Sequence, residues 1–181
     1  MKKAFITGIG TGIILSLIFI AGTYIKKLFP AESVMEDMVF LVLFFGIVTA
    51  TLWISMNRLS HKAPVEWRSL NVTGLVASIM AAVLFGVAGF LYTRFIHPGY
   101  LAELSQGSTA VWESRNYSLT AISGEGQWEW LNTPMDFALL NFKDTLIVLA
   151  VLALVLASIY YILNRKRLSG FDSNDSQELI F

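Results

Sequence analysis

Residues 69–93 read SLNVTGLVASIMAAVLFGVAGFLYT, without a single Asp, Glu, Lys or Arg. A helix rises about 1.5 Å per residue, so roughly 20 apolar residues cross the hydrocarbon core of a bilayer. This run is long enough to span. Three further charge-free runs accompany it: 4–25 between Lys3 and Lys26, 38–57 between Asp37 and Arg58, and 145–164 between Asp144 and Arg165. The chain therefore reads as all-α, an integral membrane four-helix bundle with spans of about 4–28, 38–57, 70–96 and 137–164.

Composition points the same way. The chain is 55% hydrophobic and 14% charged, whereas soluble domains carry about 25% charged residues. Its 181 residues suit one domain, 1–168, in which the spans occupy about half of the chain. Basic and acidic residues balance at 13 each, so no nucleic-acid partner is implied. The absence of cysteine excludes disulfides and thiolate chemistry.

Met1-Lys2-Lys3 ahead of an apolar run raises the possibility of a secretory signal. A cleavable apolar region is about 7–15 residues long and ends in small residues. Here the run continues to Ile25, so a retained first helix is expected. Helix three is expected to stop before Pro98-Gly99, a helix-ending pair. After it comes one extracytoplasmic segment of about 35–40 residues, Pro98 to Thr133, in which Tyr100–Gln106 and Ala110–Leu119 are candidates for short helices. Thr133-Pro134 reads as an N-cap plus first helical residue, with Asp136 in the favourable first turn. Residues 169–181 read as a disordered cytoplasmic tail.

Lys and Arg accumulate in cytoplasmic loops. With both termini inside, the inner set is Lys2, Lys3, Arg58, Lys62, Arg68, Arg165, Lys166 and Arg167, against Lys26, Lys27, Arg94, Arg115 and Lys143 outside. That bias favours cytoplasmic termini. Tyr24 and Tyr92 then fall near the outer interface, and Trp53, Trp67, Tyr160 and Tyr161 near the inner one, as anchoring belts.

Gly8-Ile9-Gly10-Thr11-Gly12 looks superficially like a nucleotide-binding loop, but such a loop follows a strand. Within a span, Gly8 and Gly12 share one face and admit a second backbone, and Ser78, Ala82, Gly86 and Gly89 give helix three a comparable face. These six are the helix-packing candidates. No charged residue lies centrally in any span, which weakens a proton-relay or ion-coupled reading. The hydroxyls of Thr11, Ser16, Thr49, Thr51, Ser55, Thr73, Ser78 and Ser158 are expected to act as structural glue. His97 with Glu103 falls short of the three or four ligands a zinc site needs, and a solvated interfacial histidine is expected. Trp112, Trp128 and Trp130 suggest an outer-surface contact with lipid or a partner, or simple membrane anchoring. No catalytic, cofactor or metal residue is expected.

The run Trp67-Arg68-Ser69-Leu70-Asn71-Val72-Thr73-Gly74-Leu75, together with Leu91-Tyr92-Thr93-Arg94-Phe95-Ile96-His97-Pro98-Gly99-Tyr100, resembles bacterial domain-of-unknown-function family 4199. The resemblance covers most of Met1 to Leu168, and its most specific part is the Pro98/Tyr100 corner. It implies a small four-span protein of the bacterial inner (cytoplasmic) membrane. The Gly- and Trp-rich sequence from Gly107 to Trp130 departs from that family's acidic loop. No activity or site residue transfers with the resemblance.

The expected role is a non-enzymatic accessory or envelope interaction protein, with the lipid bilayer and a membrane-protein partner or a second copy as its contacts. A small transporter or lipid-handling protein is the alternative. A membrane enzyme acting on a lipid or glycan, using Glu113, Glu125 or Glu129, comes third.

Overall fold

The computed structural model describes residues 1–28, 34–60, 66–102 and 133–175. Four long helices hold nearly all of them: α1 Lys2–Leu28, α2 Val34–Ser60, α3 Trp67–Leu91 and α4 Pro134–Asp175. No strand occurs among the described residues. The stretches long and apolar enough to cross a bilayer are Lys2–Ile25, Met38–Ser60, Trp67–Ile96 and Pro134–Asn164. The all-α, four-helix architecture expected from the charge-free runs is the one adopted.

Helix ends follow local chemistry. Glu66 is extended (φ −63°, ψ 144°), and its carbonyl accepts from the N–H groups of Ser69 and Leu70, so α3 begins at Trp67. Thr133 and Asp136 form a reciprocal capping box ahead of Pro134. The Thr133 N–H donates to Asp136 Oδ2 at 3.0 Å, and the Asp136 N–H donates to Thr133 Oγ1 at 3.2 Å. At its far end α4 continues to Asp175, through Arg165-Lys166-Arg167 and into the tail expected to be irregular from Ser169.

The end of α3 also differs from a plain α-helix. After Leu91 the chain widens into a π-helical turn, Tyr92–Ile96, closed by the His97 N–H donating to the Tyr92 carbonyl at 2.8 Å. His97 then leaves the helical region (φ −140°, ψ 74°) because the following Pro98 disfavours it there. Residues 100–102 start another helical turn, and the rest of the expected Tyr100–Gln106 helix lies outside the described residues.

Lipid tails are as apolar as leucine, so no hydrophobic driving force joins helices inside a membrane. Close van der Waals approach and interhelical hydrogen bonds do that work instead. The sequence of α3 supplies the approach, because its buried positions are mostly Gly, Ala, Ser and Thr. It packs most extensively against α4 and α1 and only slightly against α2, which leans on α1 and α4.

Two small-residue stripes run along α3. One faces α1: a Cβ added at Gly8 would lie 2.8 Å from the Thr73 carbonyl, and one at Gly12 would lie 2.7 Å from the Ala77 carbonyl and press on Met80. The other faces α4: a Cβ at Gly74 would meet the Ala153 side chain at 2.7 Å, and one at Gly86 the Ala138 carbonyl at 3.1 Å. These pairings make α1 and α3 parallel, with α4 antiparallel to both. The bundle then has a terminal end, carrying Met1, Ser60 and Glu66, and a loop end, carrying Leu28, Val34, His97 and Thr133.

The core is not evenly distributed. Its cluster of buried side chains includes Leu15, Val48, Leu52, Met56, Leu70, Leu149 and Tyr160, which run from the middle of the bundle toward its terminal end. Outward-facing positions such as Leu17, Val42, Leu43, Ile147 and Val151 are exposed and apolar, the surface that hydrocarbon solvates. Gly12→Val should lower stability by about 1–3 kcal/mol, since α3 cannot retreat without losing its contacts with α1. Gly10→Ala, at a position with nothing within 4 Å, should leave stability unchanged or raise it by up to about 1 kcal/mol. Unfolding in mixed micelles of rising SDS content measures both.

Candidate functional site

The two ends of the bundle differ in chemistry as well as in packing. At the terminal end, α2 is held by polar contacts that reach between helices. Ser55 donates to the Thr51 carbonyl in its own helix, and its hydroxyl accepts from Thr11 of α1 at 2.7 Å. The Tyr160 hydroxyl donates to Asn57 Oδ1 at 3.1 Å and also contacts the Ser60 hydroxyl. The Trp53 ring stands edge-on to Tyr160 with centroids 5.0 Å apart. Thr73 of α3 donates to the Ala4 carbonyl of α1 at 3.2 Å.

Tyr160 is thus 3% exposed and joins α4 to α2. The expectation of a belt tyrosine at the interface is corrected. Its signal was partly present, because Asn57 and Ser60 sit one helical turn apart at the end of α2, on a face that a tyrosine from a neighbouring helix can reach.

At the loop end the helices separate. One cavity of about 320 Å³ lies between α1, α3 and α4, with Ile20, Tyr24, Phe85, Ala88 and Phe137 in its wall. A second, of about 410 Å³, lies between α1 and α2 against Phe19, Gly22, Phe40, Leu41 and Phe44. Thr23 and Tyr100 line both, so the two spaces adjoin. Neither is enclosed. Asn141 and Tyr92 add polar atoms to the first.

The roof of the first cavity is an aromatic corner built by the π-helical turn. Tyr100 meets Tyr92, His97 and Phe137 edge-on at 5.3, 6.0 and 5.8 Å, and Tyr92 stacks on His97 at 6.1 Å. A π-turn re-aims the side chains at its end relative to the helix before it, a feature frequent at functional sites. His97 is half-buried between tyrosines, which corrects the expectation of a solvated histidine. Among the described residues no three His, Asp or Glu side chains come close enough to hold a metal ion.

The helix-packing candidates fall in definite places. Gly8 and Gly12 lie against α3, Gly86 and Gly89 lie against α4, and Ser78 and Ala82 are fully buried. Ser78 donates to the Gly74 carbonyl at 2.8 Å within its own helix. Reasoning from sequence missed Gly74, Ala77 and Ala81, which extend α3 to two small faces, and Gly22, whose missing side chain admits Phe44 of α2. Trp112, Trp128 and Trp130 lie outside the described residues, as do Glu103, Glu113, Glu125 and Glu129.

No family model, curated protein or solved structure matches this chain. What its helices define is a class: a multi-pass membrane protein of four apolar spans.

The Tyr160 linkage is testable directly. Polar contacts between membrane helices contribute about 0.6 kcal/mol on average and up to about 1.7. Tyr160→Phe, which strands Asn57 and Ser60, should fall toward the upper end of that range. Ser158→Ala should be near neutral, since that hydroxyl bonds the Leu154 carbonyl of its own helix. SDS titration of the two variants side by side gives the comparison.

Proposed function

We propose that this protein is a non-enzymatic accessory or envelope interaction protein of a bacterial inner membrane, working through contacts made in the plane of the bilayer. The observation that carries this reading is the state of α2. Only 11% of its membrane-length window is buried inside the bundle, against 28–33% for the other three helices. A helix held along one narrow stripe leaves most of its circumference to lipid or to the helix of another protein. Val42 at 72% exposure and Leu43 at 62% mark the centre of that free face.

The bacterial inner-membrane setting rests on the resemblance to domain-of-unknown-function family 4199, carried by Trp67–Leu75 and Leu91–Tyr100. The placement of both termini in the cytoplasm rests on the distribution of Lys and Arg. With the loop end outside, the aromatic corner lies at the extracytoplasmic interface.

Because the chain has no cysteine, single-cysteine variants report cleanly on orientation. Gly99→Cys, at an exposed loop-end position, should react with a membrane-impermeant maleimide on intact spheroplasts. Glu66→Cys, exposed at the terminal end, should react only after permeabilisation. The reverse pattern inverts the topology. For the interaction itself, a photocrosslinking residue in place of Val42 should capture a stoichiometric membrane-protein partner in cells, identified by mass spectrometry. Recovery of lipid adducts alone at that position refutes the accessory reading.

A further inference from the structure

We infer that the loop end of the bundle is a lipid site: the two adjoining cavities take an acyl chain of a bilayer phospholipid, which enters sideways between α1 and α2. This goes beyond the accessory reading and stands or falls separately from it.

Size, chemistry and level in the membrane all bear on the occupant. Cavities of about 320 and 410 Å³ are each in the range of small-molecule pockets. The walls are rings and aliphatic groups, among them Phe40, Phe44, Phe85 and Phe137. Water gains few partners on walls that are mostly apolar, and such spaces accept apolar molecules. An empty space would also forfeit the dispersion contacts of every lining atom. In a bilayer the apolar material at hand is the chain of a neighbouring lipid.

The access route is lateral. The second cavity is open and is bounded on one side by α2, the helix least buried in the bundle. Leu41, in its wall, is itself 45% exposed on the lipid-facing surface. Thr23 and Tyr100 line both spaces, so a chain entering between α1 and α2 has the first cavity directly beyond these two side chains.

The polar groups identify the ligand as an amphiphile with its head at the loop end. Tyr92 and Tyr100 stand where the membrane span ends, at the level where amphipathic rings meet headgroups. Asn141 is the one amide in the wall among the described residues. A phospholipid lying along the cleft places its glycerol region beside these groups and its chain beside Phe85 and Phe44.

The test labels the pocket from inside. Phe85 is replaced by a diazirine-bearing leucine analogue, and the full chain is reconstituted in vesicles of phosphatidylethanolamine and phosphatidylglycerol, irradiated and weighed intact. The expected product is a phospholipid adduct at position 85. Ala88, which lines the same cavity, is then enlarged. Ala88→Trp, with Ala88→Leu as the milder variant should the first not fold, should lower the adduct roughly tenfold, the scale on which an apolar pocket rejects added bulk. The same analogue at lipid-facing Leu75 should keep its adduct in both variants, which reports an intact bundle. An internal crosslink from position 85 to residues 103–132 overturns the proposal. So does a water-quenched product alone, or an adduct indifferent to both Ala88 substitutions.

Discussion

The structure depends on how closely other backbones approach α3. In hydrocarbon no expulsion of water pulls helices together, so association must come from contact itself. The missing side chains at Gly8, Gly12, Gly74 and Gly86 bring neighbouring atoms to positions that a Cβ would already crowd. Two stripes on one helix are required, because α3 must serve α1 and α4 at once. Each stripe is interrupted by little else: Thr73, Ala77 and Ala81 on one side, Gly74, Ser78 and Ala82 on the other. Their hydroxyls bond to the preceding turn of α3, which removes an unsatisfied donor from the tightest part of the molecule.

With α3 seated between α1 and α4, α2 has nowhere to go but the outside. It reaches α1 through Ser55 and the Gly22–Phe44 contact, and α4 through Trp53, Asn57 and Ser60. The fastenings at Ser55, Asn57 and Ser60 lie in the terminal half. Toward the loop end rings pack on one another, with Phe44 edge-on to Phe19 at 5.0 Å and Phe40 stacked on Phe44 at 6.1 Å. The loop-end cavities are the geometric result of this asymmetry. The smaller number of fully buried side chains in that half makes it the part most easily opened.

Much of this was legible in the sequence, for a reason particular to membranes. A bilayer admits helices and closed barrels only, so the charge-free runs left almost no freedom in the fold. Gly8 and Gly12 were also legible, because the four-residue spacing carries its own mechanism. The second stripe on α3 was not. Thr73, Ala77 and Ala81 become distinct from Gly74, Ser78 and Ala82 only when two neighbours are known to sit on two sides. Tyr160 was read as a belt residue because a tyrosine near a helix end fits that role by position alone. Its partners lie on α2, a hundred or more residues earlier in the chain, and sequence periodicity carries no information across that distance. The π-turn was equally hidden. Pro98 announced that the helix must stop, but not that its last turn would widen first.

The widened turn matters because of where it puts three rings. In an α-helix continued to Ile96, Tyr92 and His97 would project in different directions from a regular spiral. The π-turn brings the His97 ring parallel to that of Tyr92, at an interplanar angle of 16°, and the bend at Pro98 returns Tyr100 against both. Tyr100 also reaches Phe137, one turn into α4 and just past the Thr133–Asp136 capping box. The corner therefore ties the exit of α3 directly to the entrance of α4. The fixed geometry of the loop end comes from this aromatic tie on the α3–α4 side, and its looseness comes from α2 on the other. A cavity bounded by one rigid wall and one yielding wall keeps its shape while admitting a guest from the yielding side.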